Sequence, residues 1–232
     1  METIAQLFNI FWSPRRTLYE ISQHPRIIAP LVLLTLFAGL ETAIVFSKLD
    51  PGELRLQEFK RAGYADQISD SDKVIHAQAA RNFRVLAATF TAVRFIPVVV
   101  IVAGLFFAIL GLGRGVPFKP FLAVTAFAFI PGIVHSLAII ATVLTAEPTP
   151  EILERAGSIS PVLFLDPASM SRALYVALGM VDAVSIWILA LLIVGYGFVL
   201  RDRVSSALRI FAVVGVYCVW SAIYVAIRVT LA

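Results

Sequence analysis

The chain of 232 residues is 59% hydrophobic and 15% charged, whereas soluble domains run near 45–50% apolar and about 25% charged. Its mean hydropathy of +0.89 excludes a soluble globular domain and makes it an integral membrane protein. The net charge of +4 is dispersed around apolar runs instead of forming one stripe, which excludes a nucleic-acid partner and reads as membrane topology signals.

Residues 3–12, TIAQLFNIFW, put Ile4, Leu7, Phe8 and Phe11 at helical spacing, the pattern of a helix lying in the membrane interface. Ser13 reads as an N-cap with Pro14 at the first helical position, followed by Arg15 and Arg16 and by Leu18 and Ile21. The N-terminal amphipathic segment is therefore 1–26. Its mixed character, with Glu41 interrupting a small-residue cleavage pattern, leads to an uncleaved first span over 27–47.

The polar loop 48–94 has a helix start at Asp50-Pro51 that runs to about Gly63. A second start at Ser71 or Asp72 leads through Val74, Arg81 and Arg84 into the membrane as one helix. Span two covers 95–112 and closes on GLGRGVP. Its glycines make a tight interhelical turn and not a phosphate loop, since no strand precedes it and no Lys-Ser or Lys-Thr pair follows. Span three, 118–144, is expected to kink at Pro131-Gly132, with His135 one turn later. Further helix starts are expected at Thr149-Pro150 and Asp166-Pro167, on either side of the apolar stretch VLFL.

Span four, 177–200, carries Asp182 about one turn inside its N-terminal end. A carboxylate facing lipid costs roughly 2.5–3.5 kcal/mol, so Asp182 should face other helices or water. Span five, 207–226, holds Tyr217, the lone cysteine Cys218, Trp220 and Tyr224, and Arg228 ends it. One cysteine excludes an intramolecular disulfide and a cysteine metal cluster. The expected fold is all-α, a polytopic membrane bundle of five transmembrane helices over 27–232 with an N-terminal interfacial helix. Bases cluster near span ends at Arg15, Arg16, Arg26, Arg114, Lys119, Arg201, Arg203 and Arg209, which places the N-terminus in the cytoplasm and the C-terminus outside.

Three stretches carry a family likeness in this order: Phe11-Trp12-Ser13-Pro14-Arg15-Arg16-Thr17 with His24-Pro25, then Phe129-Ile130-Pro131, then Asp182 to Trp187 with Leu191 and Gly195. In these the chain resembles the Ypt-interacting protein (YIP) domain family of five-span membrane proteins, in its bacterial branch. The resemblance implies an integral membrane protein with a cytoplasmic N-terminus, in a bacterial inner membrane. Similar eukaryotic proteins bind Rab-type GTPases, but the extended N-terminal region of many trafficking members is absent here. It assigns no catalytic residues.

Counted at 1.5 Å per residue, Glu41 lies about 20 Å along span one, His135 about 25 Å along span three and Asp182 about 8 Å into span four. Antiparallel threading puts them at one depth, with Arg94 and Arg228 on the same side. The five form a candidate intramembrane polar layer. As interhelical glue, its acids would pair with Arg94 and Arg228, and His135 would hydrogen-bond to them. The alternative is a small-solute or proton-coupled transporter or channel using Glu41, His135 and Asp182. Glue is preferred, since a site at one edge makes no path across. His24, His76 and His135 share no metal-binding spacing and no G-x-S-x-G elbow occurs, so a non-enzyme without metal or cofactor is expected. The favoured role is a membrane organiser or adaptor. Phe8, Phe11, Trp12, Arg15 and Arg16 would meet anionic lipid or a partner's acidic face. Besides the bilayer, a membrane or cytoplasmic protein and a second copy of the chain stand open as partners.

Overall fold

The computed structural model describes residues 2–61, 68–145, 160–165 and 170–230. Its helices are α1 Glu2–Trp12, α2 Pro14–Gln23, α3 Ile28–Lys48, α4 Pro51–Arg61, α5 Asp70–Asn82, α6 Arg84–Val93 and α7 Phe95–Phe106. After these come α8 Phe118–Ala128, α9 Ile133–Thr145, α10 Arg172–Met180, α11 Ala183–Leu200 and α12 Ser206–Thr230. The helix starts expected at Thr149-Pro150 and Asp166-Pro167 lie outside the described residues.

Among the described residues, four helical stretches are long and apolar enough to cross a membrane: Ile28–Lys48, Phe118–Thr145, Ala183–Leu200 and Ser206–Ile227. A fifth crossing is reached if α6 and Phe95–Gly111 together make one bent span. Phe95–Gly111 begins where span two is expected to, and the helix is broken from α6 at Arg94. The single helix expected from Ser71 into the membrane is likewise divided at Phe83. Its start is Ser69, whose hydroxyl accepts from the Asp72 N–H at 3.2 Å. The expected break at Pro131 is a 3-10 turn over Ile130–Gly132, where proline has no N–H to give the ladder.

Span four departs most from expectation. The run 177–200 is not one helix: α10 ends at Met180, and α11 starts afresh at Ala183. Asp182 is the reason. Its carboxylate accepts from the N–H groups of Val184 at 2.9 Å and Ser185 at 3.1 Å, which makes it the N-cap of α11. A residue in that role has extended backbone, here φ −113 and ψ 155, and a helix cannot run through it.

The chain forms two compact units. The first comprises 1–34, 95–133 and 158–231, the second 35–94 and 134–157 with residue 232. In the first, α2 packs against both α8 and α11, and α1 against α2, α8 and the 3-10 turn. Leu18 and Ile21 of α2 are fully buried, so its apolar stripe is spent on protein. Phe121, Val124 and Phe127 of α8 and Tyr196 and Leu200 of α11, the two helices it packs on, are fully buried as well. Tyr196 shares a hydrogen bond of 2.7 Å with Thr125 and stacks against Phe106 and Phe121, so its hydroxyl enters the core satisfied.

Close approach fixes this junction at Gly195. A Cβ added there would lie 2.4 Å from Val124 Cγ1, so that this side chain or α8 would have to shift, and 3.3 Å from Leu18 Cδ2, a tight contact with α2. In the second unit α4 lies on α5, clamped by Arg81 on the Asp50 carboxylate at 2.9 and 3.0 Å. That contact, with the Gly52 N–H, holds the Asp50 carboxyl below its ordinary range. Arg84 donates to the Phe46 carbonyl and so satisfies an orphan acceptor in the last turn of α3.

Gly195→Ala should therefore destabilise the protein by about 1–3 kcal/mol through overpacking. Gly179→Ala, at a helical position with open space around it, should be neutral or stabilising by about 0.5–1 kcal/mol. Thermal unfolding in detergent, followed by circular dichroism, compares the two. Equal effects would refute the steric account.

Candidate functional site

The N-terminal pair of helices has an inner and an outer side. Leu7 and Ile10 of α1 are buried, whereas Ile4, Phe8 and Trp12 are 64%, 66% and 84% exposed, so one short helix carries two apolar faces. Leu7, expected on the lipid-facing stripe, belongs to the inner face: α1 reaches α8 and the 3-10 turn, and that contact claims it. Phe11 lies at the edge of the outer face. Ser13 stands at the N-cap of α2 without a side-chain capping bond, and Pro14 takes the first position as expected. Arg15 and Arg16 are exposed. Glu20 accepts from Arg16 Nε at 3.0 Å and from Gln6 Nε2 at 3.2 Å, which ties α1 to α2. These bonds hold the Glu20 carboxyl below its ordinary range, the Arg16 contact contributing most.

The polar groups expected as one layer divide between the two units. Glu41, Arg94 and His135 belong to the second, Asp182 and Arg228 to the first. Within the second unit Glu41 is buried, and Arg94 Nη2 meets its two carboxylate oxygens at 3.0 and 3.3 Å. Ser136 donates to Oε2 at 2.6 Å from α9. A carboxylate on an apolar helix is thus answered by a guanidinium and a hydroxyl, which is what its burial requires. His135 stands beside Ser136 in sequence and is half-buried.

Asp182 is also buried, and its described bonds are local: the two backbone N–H groups of the cap and the Ser185 hydroxyl. A carboxylate at this position complements the helix dipole as well as the orphan donors. Of the two arginines expected as its partners, Arg94 binds Glu41, and the Arg228 side chain lies outside what is described. Ser136 and Ser185 were missed by sequence reasoning. The signal open to it was a hydroxyl on an apolar helix, a residue type that bonds across or along membrane helices.

The three stretches of family likeness converge. The 3-10 turn with Pro131 touches α1 and α11, α2 packs on α11, and Gly195 meets Leu18 just past the Arg15-Arg16 pair. These features define a class, the polytopic helical membrane protein whose amphipathic N-terminal helices dock onto its spanning helices. The family model for the Yip1 domain matches residues 8–229, nearly the whole chain, and the protein belongs to that family. No curated protein and no solved structure matches it.

The Glu41 cluster predicts a double-mutant result. Arg94→Ala should cost about 3 kcal/mol, the low end for a broken buried pair, since the Arg94 side chain is 40% exposed. Adding Glu41→Leu should recover most of it. Chemical unfolding in detergent measures both, and a double variant no more stable than the single would contradict the pairing.

Proposed function

We propose that this Yip1-domain protein is a non-catalytic membrane organiser or adaptor that presents the outer face of α1 and the head of α2 to a partner. The observation that carries this reading is the division of α1. Its inner face is held by the bundle through Leu7 and Ile10, while Ile4, Phe8, Phe11 and Trp12 point away from it, next to Arg15 and Arg16. A helix that only anchored the chain in lipid would have no reason to be fixed from behind. A rigid apolar edge flanked by bases suits an acidic, partly apolar surface, because little ordering entropy remains to be lost on docking. The Glu41 cluster favours packing over transport, since its carboxylate is occupied by Arg94 and Ser136.

The proposed setting is a bacterial inner membrane with the N-terminus cytoplasmic and the C-terminus outside. It rests on the resemblance to bacterial members and on the bases near span ends. Topology reporters at Gly115 and Asp202 should read cytoplasmic and one at the C-terminus external; the reverse pattern would refute the orientation.

The adaptor role is tested by affinity isolation from native membrane with intact lipid, comparing the parent with Phe8→Ser/Trp12→Ser and Arg15→Glu/Arg16→Glu. All three should unfold at similar temperatures, because these side chains lie outside the core and the exposed Arg16–Glu20 pair is worth about 0.3–0.5 kcal/mol. The variants should lose proteins that the parent retains. Identical sets of retained proteins would leave the stretch without a docking role.

A further inference from the structure

Two turns of the first unit come together at the ends of its spanning helices. One runs from Leu112 to Pro117 ahead of α8, the other from Arg201 to Ser205 between α11 and α12. Arg203 Nη1 donates to the Arg114 carbonyl at 2.7 Å, and Arg201 Nη2 reaches Gln23 Oε1 at 3.0 Å, at the end of α2. Arg209 lies against Gly197, where a Cβ would come within 3.0 Å of its guanidinium carbon. Its Nη2 donates to Ser206 Oγ at 3.2 Å, while its Nε is buried without a partner.

The charge of this corner is one-sided. Over 111–120 and 201–210 the sequence carries Arg114, Lys119, Arg201, Arg203 and Arg209 against the single acid Asp202. Among the described residues, the acceptors used by the four arginines are carbonyls, an amide and a hydroxyl, all neutral. Cations crowded at a bilayer surface repel one another unless an anion lies among them.

The backbone points the same way. Arg201 has φ 49 and ψ −129, the conformation of the first central residue of a type II′ turn, which glycine ordinarily fills. Among the described residues it is the one non-glycine at positive φ. An arginine there carries backbone strain that glycine would avoid. Leu112, two residues before Arg114, and Phe211, two residues after Arg209, are 64% and 76% exposed, so exposed apolar side chains flank the arginines along the chain. That combination matches an amphiphile and not a free anion.

We propose that these turns form a binding site for the headgroup of an anionic phospholipid, whose phosphate is held by Arg114, Arg201, Arg203 and Arg209 while Leu112 and Phe211 meet its acyl chains. The shared chemistry is a phosphate oxyanion, which guanidinium groups recognise through paired N–H donors. The site is separate from Arg15 and Arg16 and stands without the adaptor reading.

The full chain in neutral detergent is titrated with short-chain phosphatidylglycerol, short-chain phosphatidylcholine and inorganic phosphate, with binding read by native mass spectrometry and thermal shift. Phosphatidylglycerol should bind at least tenfold more tightly than either of the others. Each base near an anionic surface is worth about fivefold, so Arg114→Gln/Arg201→Gln/Arg203→Gln should weaken it on the order of a hundredfold. Arg15→Gln/Arg16→Gln should leave it within about twofold. Arg201→Gly guards against a folding artefact. It relieves the backbone, so its unfolding temperature without lipid should be no lower than the parent's, while phosphatidylglycerol should bind about fivefold more weakly. Equal binding of the two lipids, unchanged binding by the triple variant or by Arg201→Gly, or phosphate binding as tightly as phosphatidylglycerol would each overturn the proposal.

Discussion

The missing side chain at Gly195 lets α11 approach α8 and α2 closely enough for Val124 and Leu18 to occupy the space a methyl would need. Much of the first unit depends on that contact. It brings Tyr196, one residue on, within reach of Thr125 and beside the rings of Phe106 and Phe121. It also makes α2 part of the membrane unit. A helix with arginines and a glutamate on one side would not enter a bundle by hydropathy alone. It enters because Leu18 and Ile21 find a groove, and Thr17 and Ser22 are small enough to follow them in.

Three buried polar groups show a second constraint. Inside an apolar bundle a polar group is costly unless it is answered close by, and these three are answered in three ways. Glu41 takes a guanidinium and a hydroxyl, Tyr196 takes a hydroxyl, and Asp182 takes the free N–H groups of a helix start. The Asp182 solution has the largest structural consequence, because it cuts an apolar run of helix length into two pieces. An acid in a membrane sequence can thus mark where a helix begins as readily as where an ion passes.

Much of the fold was legible because its signals are long and periodic. The apolar runs gave the helices Ile28–Lys48, Phe118–Thr145 and Ser206–Ile227, Pro131-Gly132 gave the break in the second of these, and Asp50-Pro51 gave α4. Glycines 113 and 115, at φ 74 and 64, gave the turn that a phosphate motif would have misread. What escaped was set by pairing in space. Nothing local to Ala177–Leu200 says whether Asp182 bonds across helices or to its own backbone, since the same carboxylate can do either. The docking of α2 was hidden because its amphipathic stripe fits a membrane surface as well as it fits a groove. The pairing of Glu41 with Arg94 could be guessed from charge, but that with Ser136 could not.

That α2 is an integral part of the first unit and no detachable anchor is tested most directly by amide hydrogen exchange on the full chain in lipid nanodiscs. Residues 14–23 should exchange with protection comparable to that of α8 and α11, and should lose it together with them as denaturant rises. Rapid exchange of 14–23, near that of a free peptide, while α8 and α11 stay protected would contradict the account.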